Sequence, residues 1–537
     1  MASATATALA TPGPSALTLK SGAASDNIDH KRLLAFLLMV LGMFMAILDI
    51  QIVSASLAEI QAGLSAGADE ISWVQTSYLI CEVVMIPLSG LLSRAISTKW
   101  MFAISAAGFT LMSICCGLAT NINEMIVFRA LQGFIGGGMI PTVFASAFTI
   151  FPPSKRGIVN PLIGLIATLA PTIGPTLGGY LTDALSWHWL FFINVVPGIV
   201  VTISTILLVD FDEPDWSLLR NFDWWGLGFM ALFLCSLEYV LEQGPSNDWF
   251  SDSRIVFFAF AAVIGALLFF WRALSSRFPI VDLSAFADRN FWTGCLFSFV
   301  LGIGLYGLTY IYPVFLGRVR GFSSLQIGET MFVTGIAMFV SAPICGRLLG
   351  VLDNRAMLGV GLSVFSLSTW LATGITGDWS FGELILPQIF RGFGLMCCML
   401  PINNLALGTL PPARIKNASG IYNLTRNLGG AVGLAGINTV LNWRLDLHLA
   451  RLHEQVSANN PQAQQWLDAL TGAYSRSGGD ASVMALKRLS LMVRGQATVM
   501  AFADLFLVMT VMFVCLLPLI AVLRRPQPMK APAGGGH

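Results

Sequence analysis

Residues 123–156 read NEMIVFRALQGFIGGGMIPTVFASAFTIFPPSKR, and residues 385–416 read ILPQIFRGFGLMCCMLPINNLALGTLPPARIK. Each is an apolar run of membrane-spanning length with one arginine, nearby glycines and a proline, and each ends in Pro-Pro followed by basic residues. Arg129…Gly133…Pro141 recurs as Arg391…Gly394…Pro401, and Phe151-Pro-Pro-Ser-Lys155-Arg156 recurs as Leu410-Pro-Pro-Ala-Arg414-Ile-Lys416. Earlier in each half, the turn Gly90-Leu-Leu-Ser-Arg94…Lys99 is echoed by Gly346-Arg-Leu-Leu…Asp353-Asn-Arg355. The displacements are 256, 259 and 262 residues. Three matches in one order, at nearly one displacement, mark an internal repeat.

Hydropathy extends the pattern to the whole chain. A helix crossing ~30 Å of hydrocarbon needs roughly 20 mostly apolar residues. Fourteen runs fit: 33–56, 72–93, 99–120, 123–147, 157–182, 186–209, 223–243, 254–273, 291–315, 327–349, 355–375, 384–408, 418–440 and 498–522. Stretches such as 360–375 and 499–522 are too long and too uniformly apolar for barrel strands of about 10 alternating residues. Of 537 residues, 55% are hydrophobic and 11% charged, with mean hydropathy +0.74. Soluble domains carry about 25% charged residues, so a water-soluble fold, disorder, collagen, coiled coil and a disulfide scaffold are excluded. A net charge of +1 gives no basic field for nucleic acid.

Spans 1–6 match spans 9–14, and spans 7 and 8 are extra. The predicted fold is an all-α polytopic membrane protein of two parallel six-helix bundles plus two helices. Its predicted parts are a tail 1–32, a bundle 33–209, an inserted hairpin with linkers 210–290, a bundle 291–523 containing an outer loop 441–497, and a tail 524–537. Lys and Arg orient it. With the N-terminus cytoplasmic, inside segments hold 18 of 30 basic residues and the short outside loops three, Arg254, Arg318 and Arg320. Both ends are therefore expected in the cytoplasm. Residues 1–30 are Ala/Ser/Thr-rich without an apolar core, which reads as a solvated tail and not a signal peptide. All nine cysteines fall in apolar runs without a C-x-x-C and read as small core residues.

Ionisable groups inside spans are functional candidates by default. Leaving aside charges in the end turns of spans, they are Asp49, Glu82, Arg129, Glu238, Glu242, Arg391, Arg426 and Asp504. Asp49 lies about five residues past the centre of an outward-running span, and Arg129 about six before the centre of an inward-running one. At 1.5 Å per residue both sit ~7–9 Å to the outer side of midplane, so they are predicted to pair. Glu82 is nearly central, on one helix face with Gln75 and Tyr78 (i, i+3, i+7). A carboxyl in a low-dielectric cavity suits reversible proton binding. Glu82 is the first candidate proton carrier, with Asp49 second and Arg129 as partner; a packing ion pair and a structural carboxyl are the alternatives. Glu238 and Glu242 read as structural, Arg391 as an echo of Arg129, and Arg426 and Asp504 stay open. Tyr78, Tyr306, Tyr310, Asn403, Asn404 and Asn423, with Gln75 and Arg426, are candidate cavity residues. Two carboxyls against one arginine in the first half favour a cationic substrate. In span 5, Gly164…Ala167…Ala170-Pro171…Gly174-Pro175…Gly178-Gly179 gives close-packing small residues and bends.

At these motifs the chain resembles the drug:proton antiporters of the major facilitator superfamily, specifically the fourteen-helix EmrB/QacA-like group, from about residue 33 to 523. Leu48-Asp49-Ile-Gln-Ile52-Val53 resembles that family's first-helix motif. Arg129-Ala-Leu-Gln132-Gly133…Gly136-Gly137-Gly138 resembles its fourth-helix motif, whose arginine is implicated in proton coupling. Gly174-Pro175…Gly178-Gly179 is similar to the antiporter motif that marks exporters. The resemblance implies a multidrug exporter of small amphipathic compounds in the bacterial inner membrane, working by alternating access, with protons as co-substrate and no cofactor. It also implies, for loop 441–497 and its helix-like stretches Trp443–Val456 and Ala481–Arg494, docking of a periplasmic membrane-fusion adaptor (EmrA-like). A loop that caps the outer mouth is the alternative. The chain departs from the family at the span 2–3 turn, where Ala95 and Ser97 stand in place of an arginine and a glycine, and at Trp187-His188-Trp189, where His replaces Arg. The first departure puts the family's charge latch at that turn in question.

Competing readings are an importer or a transporter of another metabolite, siderophore or lipid on the same fold, and a membrane enzyme or sensor. Walker A and HExxH are missing from the sequence, and the five histidines are scattered. The G-x-S-x-G match Gly63-Leu-Ser65-Ala-Gly67 lies between spans 1 and 2, where a nucleophile elbow would need a preceding strand.

Overall fold

The computed structural model describes residues 30–67, 70–151, 156–456, 459–475 and 480–523. Residues 1–29 of the expected tail 1–32, the expected tail 524–537 and the basic turn 152–155 lie outside the described residues, and residues 30–32 of the first tail already belong to the first helix. Nineteen α-helices follow one another, with no strand among the described residues. The first bundle runs α1 His30–Ala55, α2 Leu57–Leu64, α3 Ser72–Ala95, α4 Thr98–Gly117, α5 Ile122–Gly136, α6 Met139–Ile150, α7 Arg156–Ala184, α8 Trp189–Phe192 and α9 Val195–Leu208. A linker containing α10 Ser217–Arg220 leads to the inserted pair α11 Trp224–Gln243 and α12 Ser253–Ser275. The remainder is α13 Arg289–Phe315, α14 Ser324–Val351, α15 Asn354–Ala372, α16 Phe381–Leu407, α17 Pro412–Gln455, α18 Pro461–Tyr474 and α19 Ala481–Leu516.

Twelve helices among the described residues are long and apolar enough to cross a membrane, and thirteen if the two arms of α7, bent 42° around Pro171, count as one. The fourteenth expected run, 418–440, is helical within α17. Asn423, Arg426, Asn427 and Asn438 interrupt its apolar character, which is why it falls below that threshold. α5 and α6 form one span, interrupted at Gly137 and Gly138.

The packing repeats as the sequence does. In the first half α1 lies on α7, α3 and α4 on α5, and α4 on α9. In the second, α13 lies on α17, α14 and α15 on α16, and α15 on α19. The halves meet along two seams, α7 against α14 and α3 with α6 against α17. At the seams the chain is pared to glycine. A Cβ on Gly90 would stand 2.8 Å from Asn417 Cα and from the Lys416 carbonyl oxygen, and one on Gly328 would strike the Thr176 side chain. The inserted α11 bridges a seam: Gln243 Nε2 donates to Thr76 Oγ1 on α3 (3.2 Å), and α11 also rests on α17. Its partner α12 exposes Phe257, Phe260, Ile264, Leu267 and Trp271, the apolar coat a lipid-facing helix requires.

The expected outer loop 441–497 is corrected by the structure. α17 has 44 residues and α19 has 36, about 66 and 54 Å at 1.5 Å per residue, against ~30 Å of hydrocarbon. The predicted stretches Trp443–Val456 and Ala481–Arg494 therefore continue the helices that contain the expected spans 418–440 and 498–522, with α18 between them. Asp504, left open by the sequence, ties them together: its Oδ2 lies 2.8 Å from His448 Nε2 and 3.5 Å from Arg444 Nε.

Candidate functional site

The predicted partners Asp49 and Arg129 meet inside the first bundle. Arg129 Nη1 stands 2.5 Å from Asp49 Oδ2, and both side chains are fully buried. The carboxylate accepts further hydrogen bonds from Asn194 Nδ2 (2.8 Å) and Gln132 Nε2 (3.4 Å). The guanidinium is fixed from the other side. Its Nε donates to the Val74 carbonyl (3.2 Å), Nη1 also to Gln132 Oε1 (2.9 Å), and the Tyr78 ring lies 4.3 Å beneath it. Asn194 is held in turn, donating to Ser113 Oγ (3.1 Å), which donates to the Phe191 carbonyl (3.0 Å). Charge-assisted bonds with every acceptor occupied are what allow an ion pair to survive at this depth.

Tyr78 therefore belongs to the ion-pair cage and not to an open cavity wall. Sequence reasoning missed Ser113 and Asn194, and quoted Gln132 only within the fourth-helix motif, without a role. Asn194 stands alone in the apolar run Phe191-Phe-Ile-Asn194-Val-Val, a signal as legible as a buried charge, though a neutral one.

Glu82 is 3% exposed, with no hydrogen-bond or ion-pair partner for its carboxyl among the described residues. It lies beside the glycine break in span 4, where a Cβ on Gly137 would approach its Cγ to 3.1 Å. Gln75, on the same face, has an enclosed Oε1 without a partner. Glu238 is also buried, at 6% exposure, on the inserted α11.

The second bundle repeats the plan with the acid removed. Arg391 Nη2 donates to Thr309 Oγ1 (2.7 Å), and Thr309 stands 260 residues after Asp49 as Arg391 stands 262 after Arg129. The echo is thus a neutral one. Among the candidate cavity residues, Asn403, Asn423 and Arg426 come together: Tyr422 Oη donates to Asn403 Oδ1 and Arg426 Nη2 to Asn423 Oδ1. Tyr306 and Tyr310 donate to Asn427 (3.3 Å) and Asn438 (2.7 Å) between α13 and α17. Asn404, half-buried near the end of α16, makes no side-chain bond with this group. A cavity of about 310 Å³ lies elsewhere, at the foot of the inserted pair, lined by Arg94, Phe222, Asp223, Arg277 and Asp282.

In the motif of span 5, Gly174 and Gly178 let α7 touch α1; Cβ atoms there would stand 2.4 Å from Gln51 Cβ and 2.9 Å from the Ile52 carbonyl oxygen. Pro175 and Gly179 lie in the same arm of the bent helix. The Gly63-Leu-Ser65-Ala-Gly67 match overlaps the end of helix α2 and has no strand before it, with Ser65 as the left-handed cap of that helix (φ 51°). It is not a nucleophile elbow.

These observations decide the family. A profile described as Major Facilitator Superfamily matches residues 39–434. The chain belongs to the Major Facilitator Superfamily. Within it the chain groups with the EmrB/QacA-like proteins. It is 42% identical over 480 residues to the colistin resistance protein EmrB of Acinetobacter baumannii, spanning 89% of this chain and 94% of the relative. It is 30% identical to the multidrug export protein EmrB of Escherichia coli strain K12, spanning 93% and 96%. The crystal structure of the human organic anion transporter MFSD10 (TETRAN) superimposes with a TM-score of 0.56 at 14% identity, covering 90% of this chain and all of that one, which establishes a shared fold. A Major Facilitator Superfamily chain is a multi-span membrane transporter and not an enzyme.

At the turn where the family latch was in question, another contact is present. Asp212, from the linker after the first bundle, accepts from the Thr98 amide through both carboxylate oxygens (3.1 Å each) and pairs with Lys416 of the second half. Lys416 Nζ also donates to the Ser93 carbonyl (3.1 Å). Ser97, standing where the family has glycine, adopts φ 79°, ψ 157°, a region almost reserved for glycine that costs about 1–3 kcal/mol. Ser97→Gly is expected to stabilise the protein by about 1 kcal/mol or more, less a few tenths for the lost helix cap to Trp100. A raised unfolding midpoint of the purified protein checks this, and an unchanged or lowered one refutes it.

Proposed function

We propose that this chain is a proton-driven exporter of amphipathic compounds that works by alternating access. The observation that carries the reading is a buried carboxylate–guanidinium pair beside a second buried carboxyl without a partner, all in one half of a two-half transporter. Such groups exchange protons with a changing environment, and the seams give that environment two forms. Two names support the direction of transport: the Escherichia coli relative is called a multidrug export protein and the Acinetobacter relative a colistin resistance protein. In this reading Glu82 and Asp49 carry the proton, Arg129 sets the exchange, and the arm Gly174–Gly179 lets α7 rock against α14. Fourteen helices cross the bacterial inner membrane, in bundles 33–209 and 291–523 with the pair between, and both ends face the cytoplasm. The outer extension of α17, α18 and α19, which exposes Trp443, Trp466, Leu486 and Leu491, docks a periplasmic membrane-fusion adaptor.

The decisive test is reconstitution in sealed vesicles. Substrate movement is expected to follow an imposed pH difference, with counter-movement of protons, and to stop when that difference and the membrane potential are both abolished. Equal concentrative transport with no ion gradient would end the reading.

A further inference from the structure

Glu238 is misplaced for a structural carboxyl. It sits on α11, one of the two helices added to the six-plus-six plan, and is 6% exposed. Its carboxyl has no hydrogen-bond or ion-pair partner among the described residues. Contacts on either side show which way it faces. Cys235 Sγ donates to the Ile80 carbonyl of α3 (3.6 Å), and Gln243 Nε2 donates to Thr76 Oγ1 of the same helix (3.2 Å). The Tyr239 and Trp73 rings lie 5.7 Å apart between the two helices. Cys235, Glu238 and Glu242 fall at i, i+3 and i+7, on one face, so both acids share the face that meets α3. Glu82 stands two residues along α3 from Ile80, buried and equally without a partner. The charges of Glu242 and Glu82 both act on Glu238. With Cys235 they are the titratable groups within its reach, and none of them is a cation.

A carboxyl that only holds a membrane helix in place needs a partner to offset its insertion cost, as Asp49 has in Arg129. Glu238 and Glu82 have none. Four residues of helix separate Glu242 from Glu238, a rise of about 6 Å, which two carboxyls bridge directly or through one water. Glu242 is the half-buried member of the three and, in the proposed orientation, the one nearest the outer water. Gln75, on the Glu82 face of α3, adds an enclosed Oε1 without a donor, an acceptor beside the same line. We propose that α11 supplies the outer proton route of the transporter: Glu242 takes a proton from the outer water, Glu238 receives it and hands it to Glu82. At each step an O–H bond breaks on one carboxyl as one forms on the next, so only the proton moves and each donor is refilled from the outer side. The inserted pair thereby has a task. α11 lies on both α3 and α17, so the route follows a seam, where movement of the halves interrupts it. The proposal deepens the exporter reading by naming how its proton reaches Glu82, and rests on that reading for the direction of flow.

The test follows one proton at Glu82 and needs no substrate. Full-length protein in lipid nanodiscs is mixed from ordinary into heavy water, and the infrared carbonyl band of the Glu82 acid is timed as deuteration shifts it. Glu82→Gln identifies the band by removing it. Glu238→Gln is expected to slow the shift by about tenfold or more, with the size of the band and the unfolding midpoint unchanged. Glu238→Asp, which keeps the acid, is expected to recover most of the rate. If Glu238→Gln does not fold, Glu242→Gln, at the half-buried position, is expected to show the same slowing, and wild-type exchange in that variant overturns the route. The proposal is also overturned if folded Glu238→Gln exchanges at the wild-type rate, if Glu238→Asp is as slow as Glu238→Gln, or if Glu82 gives no acid band at any pH. Slowed exchange in Glu238→Gln, with no proton-driven transport by the wild-type protein in vesicles, would sink the exporter reading and leave the route standing; proton-driven transport with unslowed exchange would do the opposite.

Discussion

Asp49→Ala is expected to abolish gradient-driven transport and to destabilise the protein by about 3–5 kcal/mol, the range for removing one partner of a buried ion pair. The penalty arises because Arg129 stays behind, fully buried, having lost the acceptor at 2.5 Å. Its bonds to Val74 and Gln132 satisfy two positions but neutralise no charge. Arg129→Ala is expected to be comparably damaging, because it strands the carboxylate on Asn194 and Gln132 alone. The double variant Asp49→Asn/Arg129→Gln separates stability from function. It removes both charges, keeps hydrogen-bonding groups of similar size, and is expected to recover most of the unfolding midpoint while transport remains at background. A double-mutant cycle on thermal stability, built from Asp49→Asn, Arg129→Gln and this double variant, should therefore be strongly non-additive. Additive losses, or an Asp49→Ala protein that still concentrates substrate against a pH difference, would refute the assigned role of the pair.

The second large effect is expected at Glu82. Glu82→Gln keeps the shape of the side chain and its place beside Gly137 but cannot bind and release a proton. Uphill transport driven by a pH difference should fall by about 100-fold or more, toward the vesicle background, which corresponds to about 2.7 kcal/mol or more on the coupled step. Substrate binding, and exchange of labelled for unlabelled substrate across vesicles, should persist, because neither requires net proton movement. This combination distinguishes a proton carrier from a structural carboxyl. A structural carboxyl would lower binding, exchange and uphill transport together. Unchanged uphill transport in Glu82→Gln would transfer the role to Asp49.

The ion pair was legible in the sequence because charge is rare in an apolar span and depth can be counted along two helices. The fold was legible because one displacement relates Arg129 to Arg391 and two basic turns to their counterparts. Asn194, Gln132 and Ser113 were harder, since neutral polar residues cost little enough in a membrane helix to occur without purpose. Tyr78 was placed on the right helix face with Glu82, but counting along one helix cannot show that Arg129 of another lies over its ring. The acid in the contact at the span 2–3 turn could not be anticipated, because Asp212 lies 114 residues beyond the Thr98 amide it accepts from. The length of α17 was hidden by its own polarity: Asn423, Arg426 and Asn427 mark the seam, while Arg444 and His448 mark the bond to α19. Hydropathy reads both as interruptions.

The same two rods make the second lobe a lever. The 36 residues of α19 make a rod about 24 Å longer than the hydrocarbon it would cross, and Asp504, further along the same rod, joins it to α17. A tilt of about 10° at the membrane, carried along that extra length, displaces its tip by about 4 Å. In the proposed alternating-access cycle, a protein resting on the tip would feel each turnover as a push, without any signal crossing the lipid.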